Sequence, residues 1–105
     1  MGSDGSQALY HILMWNYKDE VSQEQRAALE AELASLPEKI PSLNGVHFGP
    51  VVGGRNQSYS HCFVMLFDSE AGLAEYTTHP DHVHFAGPFR EACSAQAVVD
   101  MEPRL

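Results

Sequence analysis

Ala8-Leu9-Tyr10-His11-Ile12-Leu13-Met14-Trp15 is apolar at nearly every position and partly aromatic. So short a run, unbroken by Gly or Pro, reads as a strand buried on both faces. Ser60 to Phe67, SHCFVMLF, repeats that character. Side chains alternate along a strand, so in the obvious register His11, Leu13 and Trp15 share one face with His61, Phe63 and Met65. Tyr10, Ile12 and Met14 share the other with Cys62, Val64 and Leu66. Both faces of this pair are apolar.

Between the two strands, Asn16 to Glu20 turns the chain, and Ser22 with Gln25 forms a capping box that opens a helix. Leu29, Leu33, Leu36 and Ile40 recur at helical spacing, and Ala27, Ala28, Ala31 and Ala34 favour helix intrinsically. The helix is expected from about Gln23 to Leu36, or slightly further if Pro37 starts a second turn. Pro41 to Gly45 reads as a turn and Val46 to Val52 as a short strand, with Pro50 marking an edge or a bulge. Gly53 to Ser58 reads as a flexible loop.

After the SHCFVMLF strand, Asp68 or Ser69 caps a short helix carrying Leu73 and Tyr76, and Pro80 is placed to start another behind His79. Gly87-Pro88 is expected to kink or interrupt that helix. Phe85, Phe89 and Cys93 follow at four-residue spacing, which puts Cys93 on the helix, and Gln96 to Met101 closes as a fourth strand. The order β-α-β-β-α-α-β is that of an α+β, ferredoxin-like antiparallel sheet with its helices on one face. Helices from this chain cover one apolar face only. A second subunit is expected on the other, giving a homodimer with facing sheets; the plainer alternative is a monomer with a loosely covered sheet.

The 105 residues hold one core, expected over residues 8–102, with 1–7 a disordered tail and 103–105 a C-terminal tail. The net charge is −8, and Lys18, Arg26, Lys39, Arg55, Arg90 and Arg104 are scattered singly. No cationic stripe is available for nucleic acid, and an acidic surface is repelled by anionic membranes. No apolar run reaches the roughly 20 residues of a membrane span. The first residues lack the basic start and apolar stretch of a secretory signal, so a cytoplasmic location is the default expectation. Cys62 and Cys93 make no disulfide framework and read as small buried hydrophobes.

Six histidines are many for a chain of this length. Three of them, His79, His82 and His84, fall in Tyr76-Thr77-Thr78-His79-Pro80-Asp81-His82-Val83-His84-Phe85. As metal ligands they converge poorly, because His82 and His84 would point about 200° apart on a helix and no acid or Cys completes a set. An acid/base reading fits better. With Pro80 as the first helical residue, His82 lies in the first turn, where the helix dipole disfavours imidazolium and keeps the ring able to accept a proton. Tyr76 could turn its hydroxyl toward the same space as a donor. The bland alternative is structural: rings capping backbone groups at the helix junction.

The opening strand with His11, Lys18-Asp19-Glu20, Ile40-Pro41-Ser42, Tyr59-Ser60-His61, the HPDHVHF stretch from His79 to Phe85, and Val98-Val99-Asp100 occur in an order and spacing that resembles the stress-responsive A/B barrel (Dabb, dimeric α+β barrel) family over about residues 9 to 101. The resemblance implies the ferredoxin-like fold and a homodimer. Within the family it extends to a plant polyketide cyclase. It implies His82 as general base and Tyr76 as the group holding a substrate carbonyl, with His11 and His61 positioning or polarising it. Leu29, Glu30, Leu33 and Cys93 stand where that cyclase has bulkier pocket residues, and Trp15 intrudes from the first strand, so a different ligand, or none, is expected. Leu13, Trp15, Phe63 and Met65 would suit a small aromatic or polyketide-like ligand. The activity implied is a cofactor-independent lyase or cyclase, with no metal. A non-catalytic stress-response or ligand-binding dimer and a cofactor-independent oxygenase remain the alternatives. His47 and His84 read as surface or junction residues and His79 as a helix-entry residue.

Overall fold

The computed structural model describes residues 7–55 and 58–104. Most of the expected N-terminal tail, Asn56 and Gln57 of the expected loop, and Leu105 lie outside the described residues. The elements are β1 (Leu9–Tyr17), α1 (Gln23–Lys39), β2 (Leu43–Pro50), β3 (His61–Phe67), α2 (Glu70–Thr78), α3 (Pro80–Ala92) and β4 (Cys93–Met101). This is the β-α-β-β-α-α-β order of the ferredoxin-like fold. All strand pairs are antiparallel and the order across the sheet is β2-β3-β1-β4. β1, the apolar opening strand, is therefore flanked on both sides.

The register gives each face its character. His11 lies opposite Met65, Leu13 opposite Phe63 and Trp15 opposite His61. From this face Leu9, Leu13, Trp15, Tyr17, Phe63, Met65 and Phe67 pack against Leu33, Leu36, Ile40, Tyr76, Phe85 and Phe89 of the helical layer, forming one continuous core. Each such large side chain stabilises the fold by about 1.5–3 kcal/mol when fully buried. On the opposite face Tyr10 meets Leu66, Ile12 meets Val64 and Met14 meets Cys62, while β4 adds Met101 opposite Tyr10 and Val99 opposite Ile12. Among the described residues no helix covers them. They are only partly buried, and Val99 and Met101 are exposed.

Local chemistry explains the helix ends. Ser22 and Gln25 form the reciprocal capping box, Ser22 Oγ accepting from the Gln25 N–H at 3.1 Å and Gln25 Oε1 from the Ser22 N–H at 2.8 Å. α1 then runs through Pro37 to Lys39, slightly beyond Leu36. The buried Leu36 and Ile40 pin its last turn to the core, and the Ile40 N–H closes it on the Leu36 carbonyl at 2.9 Å. Ser69 caps α2.

Four expectations are corrected. β2 starts at Leu43, inside the segment expected to turn, and ends at Pro50, short of Val52. A register shift between Leu43 and Gly45 accommodates Asn44, whose side chain donates to Asp68 at 2.8 Å. Pro50 does sit on an edge strand, at its last residue. α3 is not interrupted at Gly87-Pro88, because Phe85, Phe89 and Ala92 bury one continuous stripe across it. Cys93 is not on the helix: its N–H closes on the Arg90 carbonyl and it begins β4 opposite Tyr17. Cys62 is only partly buried, since it lies on the uncovered face. Among the described residues no helix is long and apolar enough to cross a membrane.

Candidate functional site

The junction of α2 and α3 aims the candidate residues. His79 is both the last cap of α2 and the first cap of α3: its N–H donates to the Tyr76 carbonyl at 3.1 Å, and its Nδ1 accepts from the Asp81 N–H at 3.1 Å. Its ring is thus committed to the backbone, and Pro80 follows in the first turn. The bend holds Tyr76, near the end of α2, against His82, in the first turn of α3. Their ring centroids are 4.2 Å apart.

His82 Nδ1 lies 2.9 Å from the carbonyl oxygen of Thr77. A carbonyl only accepts, so Nδ1 carries the hydrogen and Nε2 keeps its lone pair. Burial lowers the His82 pKa below the ordinary imidazole value; the Thr77 bond opposes this, and the nearby His11 and Arg90 add to it. Desolvation is therefore the largest of these influences, and it favours the neutral ring. Burial pushes the Tyr76 phenol well above its ordinary value, which keeps it a donor. The residue as a whole is buried, at 3% exposure.

His11 approaches the same space from β1, its ring 6.2 Å from Tyr76 and 5.9 Å from Phe63. Asp100, its cross-strand neighbour on β4, accepts from His11 Nδ1 at 2.6 Å. That bond orients the ring and leaves Nε2 available. Between these groups lies a cavity of about 230 Å³, lined by His11, Leu13, Phe63, Tyr76, Thr77, His82, Phe85, Ala86, Phe89, Arg90, Gln96 and Val98. It falls just below the roughly 300–1,000 Å³ typical of pockets for drug-sized ligands, so it suits a small molecule.

Five of the expected site residues, His11, Leu13, Phe63, Tyr76 and His82, meet at this cavity. The others are elsewhere. Trp15, Leu33 and Met65 are in the closed core, at no more than 1% exposure. Trp15 backs the cavity wall, its ring 5.9 Å from Phe63 and 5.1 Å from Phe89. His61 stacks on Trp15 at 5.3 Å and meets the edge of Tyr17 at 5.2 Å, beyond that wall. Cys93 is buried at the start of β4. Leu29 lines a different, wider groove of about 800 Å³ beside α1 and α3, with Val21, Gln25, Pro88 and Glu91. That groove is larger, but its wall carries no histidine, tyrosine or cysteine, so it is not where the chemistry gathers.

The sequence reasoning missed Thr77, Phe85, Ala86, Phe89, Arg90, Gln96 and Val98. Alternation in β4 carries the signal for two of them: Gln96 and Val98 share the parity of Asp100 and lie opposite Trp15 and Leu13. For α3 the signal is helical spacing, His82, Ala86 and Arg90 being four residues apart in turn. The remaining histidines take no part. His47 is exposed on β2, and His84 bonds Glu32 on α1 at 2.8 Å. Among the described residues no group of three or more His, Cys, Asp or Glu could hold a metal ion.

The sequence profile of the Stress responsive A/B Barrel Domain matches residues 9–103. A stress-response A/B barrel domain-containing protein of Arabidopsis thaliana, HS1, is 36% identical over 95 residues, covering 89% of this chain and 87% of that protein. Olivetolic acid cyclase of Cannabis sativa is 27% identical over 99 residues, covering 92% and 98%. The crystal structure of At3g17210 from Arabidopsis thaliana superposes with a TM-score of 0.86 at 34% identity, covering 92% of this chain and 96% of that one. A dimeric ferredoxin-like protein from Jannaschia sp. CCS1 superposes with a TM-score of 0.80 at 27% identity, covering 91% and 99%.

Proposed function

The chain belongs to the stress-responsive A/B barrel family, and from that membership and the cavity geometry we propose that it is a homodimeric lyase or cyclase working by acid/base catalysis on a small carbonyl compound. The observation that carries this reading is the His82 ring: Nδ1 is tied to the Thr77 carbonyl, so the basic Nε2 remains free on a ring packed against that of Tyr76. A relative that is a cyclase supports the same class of reaction.

In this scheme the substrate carbonyl oxygen receives a hydrogen bond from Tyr76. His82 Nε2 removes a proton from the adjacent carbon, and charge moves onto the carbonyl oxygen as an enolate. The enolate carbon then attacks a second carbonyl carbon of the same molecule, forming one carbon–carbon bond. The resulting alkoxide takes the proton back from the His82 imidazolium, and no net proton or electron is lost. His11, oriented by Asp100, offers its Nε2 to the second carbonyl or its hydroxyl product. All of these steps use side chains of the chain itself.

The homodimer is supported by the uncovered apolar face of the sheet, Tyr10, Ile12, Met14, Val64, Leu66 and Val99, and by the dimeric ferredoxin-like neighbour. The reading is tested without knowing the substrate by following α-proton exchange of a small aryl methyl ketone, acetophenone, in D2O by proton NMR. Exchange faster than buffer in the wild type and at buffer rate in His82→Ala is expected. Equal rates in the two proteins overturn the base assignment.

A further inference from the structure

Arg90 is one of only six Lys and Arg residues in a chain carrying 14 acids, yet among the described residues it makes no ion pair. It lines the His82 cavity, and no carboxylate is among the residues of that wall. Asp100, the acid on the neighbouring strand, is engaged by His11. The cavity wall thus includes Arg90, which is exposed to solvent and unpaired, and Gln96, beside an apolar body of Leu13, Phe63, Phe85, Phe89 and Val98.

The placement along α3 is directional. His82, Ala86 and Arg90 form one row, with the first and last about 12 Å apart along the axis. Long helical side chains favour leaning toward the helix N-terminus, which for Arg90 is the direction of His82 along the row. Ala86 between them is small and leaves the row open. Arg90 is close enough to bias the His82 ring against its charged form.

We infer that Arg90 anchors a carboxylate at one end of the substrate, so that the ligand class is a small aromatic or apolar carboxylic acid with its reacting carbonyl toward His82. This rests on the reading of the cavity as a substrate site. A guanidinium binds a carboxylate through two parallel hydrogen bonds, which fixes orientation as well as charge. Such an anchor sets which end of an otherwise apolar molecule faces the base. Arg90 also lies in the last turn of α3, where any cation interacts favourably with the helix dipole; Arg90→Lys keeps that role and removes the paired geometry.

The test uses the 15N-labelled full chain titrated with benzoate and with benzamide, a neutral molecule of nearly the same shape. At pH 8 a free imidazole carries no charge. Benzoate is expected to bind more tightly than benzamide and to shift the amides of Thr77, Ala86 and Gln96. Arg90→Gln should weaken benzoate roughly threefold to tenfold and leave benzamide unchanged, with Arg90→Lys between. Equal binding of the two probes, or an anion preference that survives in Arg90→Gln, overturns the assignment while leaving the His82 reading intact. No cavity shifts from either probe overturns the assignment together with the site on which it rests. Retained benzoate preference in His82→Gln, with proton exchange lost, upholds both.

Discussion

The hydrogen on Nδ1 of His82 points at the carbonyl oxygen of Thr77, 2.9 Å away on the last turn of the preceding helix. One backbone acceptor thereby sets the tautomer of the ring and leaves Nε2 as the basic atom next to Tyr76. The acceptor is main chain, so no side-chain substitution at position 77 removes it.

Replacing His82 by Gln should lower turnover by at least about 100-fold, the scale of losing a general base. The ring is only partly buried, so the midpoint of chemical denaturation is expected to move little. Tyr76→Phe should cost less, because it removes a donor and not the base. Rates and denaturation curves on the same preparations check both.

The lowered pKa of His82 has a defined sign. The base works when unprotonated, so activity should persist below the pH at which an ordinary imidazole protonates, near 6.5, and fall only in more acid solution. Stability follows the same direction. The unfolded chain protonates His82 more readily than the folded one, so its contribution is complete above pH 6.5 and is lost as pH falls from there toward the folded value. In His82→Gln that component of the stability profile should vanish, as measured by denaturation at pH 5 and pH 8.

Asp100 positions His11 and is not itself among the residues that line the cavity. Asp100→Ala should reduce turnover by about tenfold, and Asp100→Asn, which retains an acceptor oxygen, should recover part of it. The pair is partly exposed, so stability should change by less than about 1 kcal/mol. A loss of rate matched by an equal loss of folded protein would contradict the positioning role.

Trp15 is fully buried, stacked on His61 and packed at an angle against Phe63 and Phe89 of the cavity wall. Trp15→Leu should destabilise the chain by about 2–4 kcal/mol through the space left behind. The same space opens the back of the cavity, so larger aryl ketones should gain relative to acetophenone in the exchange assay.

Ile12 and Val99 face each other on the uncovered side of the sheet. Sedimentation of the wild type should give about twice the 11.6 kDa chain mass, and Ile12→Lys should give the single-chain mass with proton exchange measured alongside. A wild type that sediments at the single-chain mass at micromolar concentration excludes the dimer.

Much of this arrangement could be read from residue order. ALYHILMW and SHCFVMLF set the faces of β1 and β3 by alternation alone, and Ser22-x-x-Gln25 and His79-Pro80 marked two helix starts. Other features resisted. Asn44 and Gly45 have turn chemistry, yet the chain uses them in a bulge inside β2, because local composition does not distinguish the two. Cys93 continues the four-residue spacing of Phe85 and Phe89, but its pairing with Tyr17 in the sheet overrides that period. The cavity brought His11 to Tyr76 and His82 while leaving His61 behind Trp15. That division depends on where a bulky side chain falls in three dimensions, and spacing along the chain carries no trace of it.

Strand β1 carries two messages in alternating letters. Leu9, His11, Leu13, Trp15 and Tyr17 address the interior and its cavity, while Tyr10, Ile12 and Met14 address whatever lies across the open side. Substitutions at odd and even positions are thereby uncoupled in what they can alter. A lineage could retune its ligand without disturbing its assembly, or the reverse, through point changes in a single nine-residue segment. An insertion of one residue in that segment could do neither, since it would exchange the two addresses at once.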